Sequence, residues 1–262
     1  MNKVSKTLYI PLYGKSFVSK KGIILDDKKA EEIWAAEQFP LTGKAKSKWL
    51  AYYMGIRSAV FDEWTKRQIT DNQDAVVIHI GCGMDSRILR AGSDNIKWYD
   101  IDFPEVIEER KKYYSESVNY RMIATDVRNS TWLKLISEKE CAVVIMEGVS
   151  MYLTTLELNE LTANLCNSFE RCVVLMDCYT VLAAKMSKYK NPINEVGITE
   201  VFGTDNPELL QHRNFAFVKE LAITPQKYID ELKCSERCIF RNIYAGNFSK
   251  KLYRLFEFRK VN

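Results

Sequence analysis

Residues 76–102, VVIHIGCGMDSRILRAGSDNIKWYDID, constrain the fold more than any other stretch of the chain. A β-branched apolar run, Val76–Ile80, stops at Gly81 and Gly83, a helix-like stretch follows, and a second apolar and aromatic run ends on Asp100 and Asp102. A buried strand, a glycine turn, a helix and a second strand tipped by a carboxylate form the cofactor-binding half of a Rossmann-like sheet. The glycines allow a tight turn and close approach of the backbone to a ligand. Asp102 lies 21 residues after Gly81, about the separation expected of a carboxylate that binds a ribose diol.

The rest of the chain extends this pattern. Residues 1–72 read as a helical cap, because KKAEEIWAAEQF and WLAYYMGIRSAVFDEWTKRQI space apolar residues three and four apart. From residue 73 to 262, strand and helix patterns alternate. Strands are expected at Val76–Ile80, Lys97–Asp102, Tyr120–Ala124, Ala142–Met146, Cys172–Cys178, Ala216–Leu221 and Leu252–Arg259. The tail KKLYRLFEFRK reads as a half-buried strand. The expectation is one α/β domain, a seven-stranded and mostly parallel sheet with helices on both faces. A segment near 180–210 interrupts the alternation and is expected to form a lid over the sheet's carboxyl edge, where ligands bind in such folds.

Composition narrows the function. With 47% hydrophobic residues the chain can bury a large core, and a net charge of +4 without like-charge blocks gives no reason to expect nucleic acid or a membrane surface as partner. The start lacks the apolar core of a secretion signal, and no run reaches the length of a membrane span. Seven cysteines lack any CxxC pair, and only two histidines are present, so no metal site is expected. These features together predict a soluble, reduced, cytoplasmic protein.

The glycine turn alone does not choose a cofactor. Ser86 replaces the third glycine of the dinucleotide fingerprint, which a pyrophosphate wants at the helix start. Instead, acids stand at successive strand ends: Asp102, Asp126 and Glu147. Such a crevice suits S-adenosylmethionine, which offers a sulfonium, an amino acid and a ribose diol, better than it suits a diphosphate. Helix capping is the alternative role for each acid taken singly. An NAD(P)-dependent oxidoreductase and a non-catalytic S-adenosylmethionine-binding module are the competing readings.

Four blocks then carry a family resemblance: PLYGKSF with ILDDKKAEEIW, GIRSAVFDEW, IHIGCGMDSR with KWYDIDFPEVIEERK, and VVIMEGVSMYL with NSFERCVVLMD. In these the chain resembles the leucine carboxyl methyltransferase family, which includes tetracenomycin-type polyketide O-methyltransferases. The resemblance implies a class I fold and O-methyl transfer from S-adenosylmethionine to a carboxylate or hydroxyl of a small acceptor. It implies that Lys15 and Arg57 reach the cofactor's carboxylate, that Gly81, Cys82 and Gly83 line its methionine portion, and that Asp102 takes the ribose. It further implies that Asp126 and Val127 lie beside adenine and that Glu147 lies near the cofactor's centre. The chain lacks the long insertion between the second and third strands carried by the phosphatase-modifying members.

No catalytic base stands out. Tyr152 and Tyr179, after the fourth and fifth strands, are the candidates for orienting an acceptor, with core packing as their alternative. His79 reads as a buried strand residue, His212 as a helix-end surface residue, and Cys82 as a backbone rather than a thiol contact.

Overall fold

The computed structural model describes residues 5–37, 39–187, 201–246 and 250–261. Seven strands form one sheet in the order β3-β2-β1-β4-β5-β7-β6: β1 (Ala75–Ile80), β2 (Lys97–Asp102), β3 (Tyr120–Ala124), β4 (Cys141–Met146), β5 (Arg171–Tyr179), β6 (Phe215–Leu221) and β7 (Tyr253–Lys260). β1 to β5 pair in parallel, while β7 runs antiparallel to both β5 and β6. The strand order reverses between β1 and β4, which places a ligand crevice at their carboxyl ends.

The strands' period-2 alternation divides the core in two. Val77, Val143, Ile145, Val173 and Leu175 face a cluster shared with the amino-terminal helices, whereas Val76, Ile78, Val144, Met146 and Val174 face the other side. On the first side pack α1 (Tyr9–Lys20), α2 (Lys28–Glu37) and α3 (Lys48–Asp71), with Leu12, Ile33, Ile56 and Trp64 buried. On the other packs α6 (Thr155–Ser168), which starts with a capping box: Glu157 N donates to Thr154 Oγ1, and Thr154 N donates back to Glu157. Two short helices follow β1 and β2: α4 (Arg87–Ala91) and α5 (Pro104–Arg110), the latter with Pro104 pre-set for the first turn. Among the described residues the remaining α-helices are α7 (Val181–Met186), α8 (Gln226–Ile229) and α9 (Cys234–Ile243).

One expectation changes. The tail is not half-buried, because β7 sits inside the sheet between β5 and β6, and Leu255, Phe256, Glu257 and Phe258 are all buried. Its central acid is satisfied there: Trp64 Nε1 donates to Glu257 at 2.9 Å. Of the expected lid, residues 188–200 lie outside the described residues. Its flanks return to the sheet edge, where Phe202 N donates to Met151 O and Thr204 N donates to Tyr179 O, both at 2.8 Å. Among the described residues no helix is long and apolar enough to cross a membrane.

Candidate functional site

All eleven residues singled out above line one cavity of about 930 Å³ at the carboxyl edge of the sheet: Lys15, Arg57, Gly81, Cys82, Gly83, Asp102, Asp126, Val127, Glu147, Tyr152 and Tyr179. They converge because β1, β2, β3 and β4 run in parallel and end together, while α1 and α3 close the cavity from the side.

The glycine turn is backbone geometry that side chains resist. Gly81 and Gly83 sit at φ +65° and +50°. A Cβ on Gly81 would stand 2.2 Å from Val149 Cγ2. Gly81→Ala should therefore cost about 1–3 kcal/mol of stability in urea unfolding and displace the wall formed by Val149; unchanged stability would mean that the turn adapts.

Between the two acids of β2 the structure discriminates sharply. Asp100 is fully buried and spent internally: it accepts from Arg110 Nη2 at 2.5 Å, Tyr120 Oη at 2.6 Å and Trp98 Nε1 at 2.8 Å. Burial pushes its pKa up, but Arg110 and these donors win and hold it at about 2. Asp102 lines the cavity, with Gly83 N and Phe103 N each donating to it at 2.8 Å. Burial raises it to about 6 against those two amides, since no cation pairs with it directly. A carboxylate held by backbone amides at a cavity wall retains lone pairs for a diol. Asp126 is partly exposed and gripped by Arg128, whose Nε lies 2.9 and 3.0 Å from its two oxygens.

The basic residues are not where a simple surface or same-helix role would put them. Lys15 is 2% exposed and its Nζ is 2.9 Å from Asp85 Oδ2. Arg57 passes over its helix neighbours Asp62 and Glu63. Its Nε donates to Glu147 at 3.0 Å and its Nη1 to Tyr253 Oη at 2.8 Å, with Asp177 Oδ2 at 3.2 Å. Asp62 is taken by Arg87 Nε at 2.7 Å and Arg90 Nε at 2.6 Å. Arg87 also pairs with Glu147, and Arg90 with Asp27 and Asp85. Glu147 is thus wrapped by two guanidiniums, and its charge does not stand free in the crevice as its strand-end position alone implied.

The aromatic candidates line the cavity, yet neither suits a base. Burial raises the pKa of both Tyr152 and Tyr179, so each presents a neutral hydroxyl. Tyr152 Oη donates to Thr7 Oγ1 at a long 3.4 Å. Cys82 is 2% exposed and burial pushes its thiol well above the usual range, which leaves only its backbone for a ligand. His79 is buried and kept neutral by burial, its Nδ1 3.3 Å from Asp100. His212 lies just past the end of the 3-10 helix Pro207–Leu210 and bridges to Phe215 ahead of β6, with Nε2 3.2 Å from Thr162 Oγ1.

Sequence reasoning did not single out Asp85, Arg87 and Arg90, although all three stand in or just after the glycine turn. Asp177 carries the same signal as the chosen acids, a carboxylate near the end of an apolar strand, and was passed over. Tyr253 carries no signal of its own; only its register opposite Tyr179 brings it to the site.

The parallel sheet reversed between β1 and β4, the added antiparallel β7 and the acid-tipped β2 define a class I methyltransferase. Residues 3–166 match the family model described as leucine carboxyl methyltransferase, and the chain belongs to that family. It is similar to the tetracenomycin polyketide synthesis O-methyltransferase TcmP of Streptomyces glaucescens, at 29% identity over 205 residues and 76% of each chain. It is also similar to the S-adenosyl-L-methionine-dependent methyltransferase dpfgK of Gibberella zeae, at 28% identity over 135 residues, 48% of this chain and 45% of that one. In fold it is similar to the magnesium protoporphyrin IX methyltransferase ChlM of Synechocystis PCC 6803, solved with bound S-adenosylhomocysteine. That likeness has a TM-score of 0.53 at 10% identity, over 88% of this chain and 94% of the other. The protein is a methyltransferase that uses S-adenosylmethionine as donor. The residues present fit it: the amide-held Asp102 suits a ribose diol, and the cavity exceeds the volume of the donor alone.

Proposed function

We propose that the protein transfers a methyl group to a carboxylate or hydroxyl oxygen of a largely apolar small molecule. The observation that carries this reading is the mixed lining of the cavity. Lys15, the glycine turn, Asp102 and Asp126 line it together with Leu50, Tyr53, Met54, Tyr179, Met186 and Ile243. The polar residues suit the donor, with Asp102 accepting from the ribose hydroxyls, Asp126 and Val127 beside the base, and Lys15 with Arg57 toward the amino acid. Glu147 is held by Arg57 and Arg87 near the donor's centre. The aromatic and aliphatic residues suit an acceptor without a large polar shell, in keeping with a relative named for polyketide synthesis.

When bound, the donor supplies an electrophilic methyl on a sulfonium. The chain's part is to align the acceptor oxygen with that methyl and to exclude water. A carboxylate acceptor is already ionised and asks for no base, which matches a cavity whose tyrosines stay neutral; their hydroxyls then orient the acceptor by donating to it. The seven unpaired cysteines, five of them buried, support a reducing cytoplasmic setting.

Thermal shift and radiolabel transfer test this together. S-adenosylmethionine and S-adenosylhomocysteine should raise the melting temperature and NAD should not, and label should pass to members of a panel of aromatic carboxylic acids and phenols. Stabilisation by NAD alone would overturn the reading, and donor binding without transfer to either class would favour a binding module.

A further inference from the structure

The ion pairs around the site form one connected, buried set whose charges do not balance. Lys15 meets Asp85; Asp85 meets Arg87 and Arg90; these meet Asp62 and Asp27; Arg87 meets Glu147; and Arg57 joins Glu147 to Asp177. Among the described residues, four cations thus serve five carboxylates. Each of these nine side chains is less than a tenth exposed, so water screens the imbalance poorly.

The surplus has an address. Asp177 is fully buried and shares its single cation, Arg57, with Glu147. Its other partners are neutral donors: Gly148 N at 2.7 Å and Tyr253 Oη at 2.7 Å. Accordingly burial raises Asp177 to about 6 despite Arg57, while Asp62, Asp85 and Glu147 are all held below the usual carboxylate range. Asp177 does not itself line the cavity, but Gly148, Tyr253 and Arg57, the three groups it holds, all do.

We propose that this uncompensated carboxylate is a specificity determinant of the donor site, favouring the positively charged sulfonium donor over its neutral thioether product. The inference rests on the donor assignment above and adds a residue to it. Methyl transfer forms the carbon–oxygen bond as the carbon–sulfur bond breaks and its electron pair stays on sulfur, so the donor loses its extra positive charge. An ion-pair set with one negative charge in excess, beside the amide-held Asp102, matches the donor before transfer and loses that match afterwards, which promotes exchange of product for fresh donor. Asp177 is a positioning and electrostatic residue here, acting through the field it projects past Gly148 and Tyr253.

Calorimetric titration at pH 7.5 with sinefungin, in which a charged amine replaces the sulfonium, and with neutral S-adenosylhomocysteine tests this without turnover. A full charge about 10 Å away, at an effective dielectric near 20, is worth roughly tenfold in affinity. Asp177→Asn should therefore reduce the preference for sinefungin over S-adenosylhomocysteine about tenfold. Tyr253→Phe, which removes the hydrogen bonds to Asp177 and from Arg57 and keeps the charge, should leave that preference within about twofold. An unchanged preference in Asp177→Asn, or an equal change in Tyr253→Phe, overturns the inference.

Should Asp177→Asn fail to bind either ligand, the wild-type protein decides. The groups facing Asp177 are Arg57 from α3, Glu147 and the Gly148 amide beyond β4, Ser150, Tyr152, and Tyr179 and Tyr253 from β5 and β7; Asp177 is the one raised to about 6. The preference should fall as pH drops from 7.5 to 5.5, and a flat profile overturns the inference. Asp102 gains its proton in the same range and its lost charge lowers the preference too, so the pH series is repeated in Asp102→Asn, where the fall must persist. Failure of both ligands to bind the wild type would instead sink the donor assignment itself.

Discussion

Asp102→Ala should weaken S-adenosylhomocysteine binding by about two to three orders of magnitude in calorimetric titration, as expected for the loss of two hydrogen bonds to a charged acceptor. The carboxylate is fixed in advance by Gly83 N and Phe103 N, so binding need not organise it. Retention of affinity would move the ribose contact elsewhere, and Asp100 is not available, being committed to Arg110, Tyr120 and Trp98. The same residue predicts a pH dependence. Burial raises Asp102 to about 6, above an unfolded value near 4, so the folded chain binds this proton more tightly than the unfolded chain does. Asp177 behaves likewise. Ligand-free stability from these two groups should accordingly rise as pH falls from 7.5 to 5.5, while affinity for S-adenosylhomocysteine falls over the same interval because the charged acceptor is lost. A melting temperature and an affinity that decline together would contradict the assignment.

Arg87→Leu should cost about 3–5 kcal/mol of folding stability, the scale of breaking a buried pair and leaving its partners charged. The side chain is fully buried and engages Asp62, Glu147 and the Ser58 hydroxyl, with Asp85 at 3.2 Å. Its removal leaves three carboxylates competing for Lys15, Arg57 and Arg90. In urea the midpoint should drop, and the loss should shrink below about pH 4, where those carboxylates take up protons. The depressed values of Asp62, Asp85 and Glu147 set that sign: their contribution is present above the ordinary carboxylate range and is lost as pH falls through their folded values. A change of less than about 1 kcal/mol would show that the network relaxes around the gap.

Much of this architecture could be read before any coordinates. β2 and β3 fall at their expected bounds, β1 and β4 start one residue earlier, and β5 is longer by one residue at each end; β1, β4 and β5 are central parallel strands buried on both faces, which declare themselves as unbroken hydrophobic runs. β7 departs from its pattern for an equally physical cause. Its alternating charges suggest one wet face, yet Glu257 is buried inside the sheet, where it accepts a hydrogen bond from the indole of Trp64 on α3, a partner 193 residues away in the chain. The candidate residues were found by their strand-end positions and by family resemblance, and all face one cavity. What stayed hidden was pairing. Nothing local to Arg57 says that it will pass over Asp62 and Glu63 for Glu147 and Asp177, because those partners come from the ends of β4 and β5, far away in the chain. The depth of Lys15 is hidden for the same reason: a lysine among GKSF reads as a surface residue until α1 is laid against the glycine turn.

The placement of β7 has a consequence for how the protein comes into being on the ribosome. The guanidinium of Arg57 is oriented by Tyr253, which is synthesised 196 residues after it. β5 and β6 cannot join one sheet until β7 is inserted between them, so the site is assembled by contacts of high sequence separation. An emerging chain truncated before Tyr253 would expose the edge of β5 and hold Arg57 by one partner fewer. Ligand therefore cannot act as an early scaffold for synthesis; it can stabilise only a chain in which Tyr253 has left the exit tunnel.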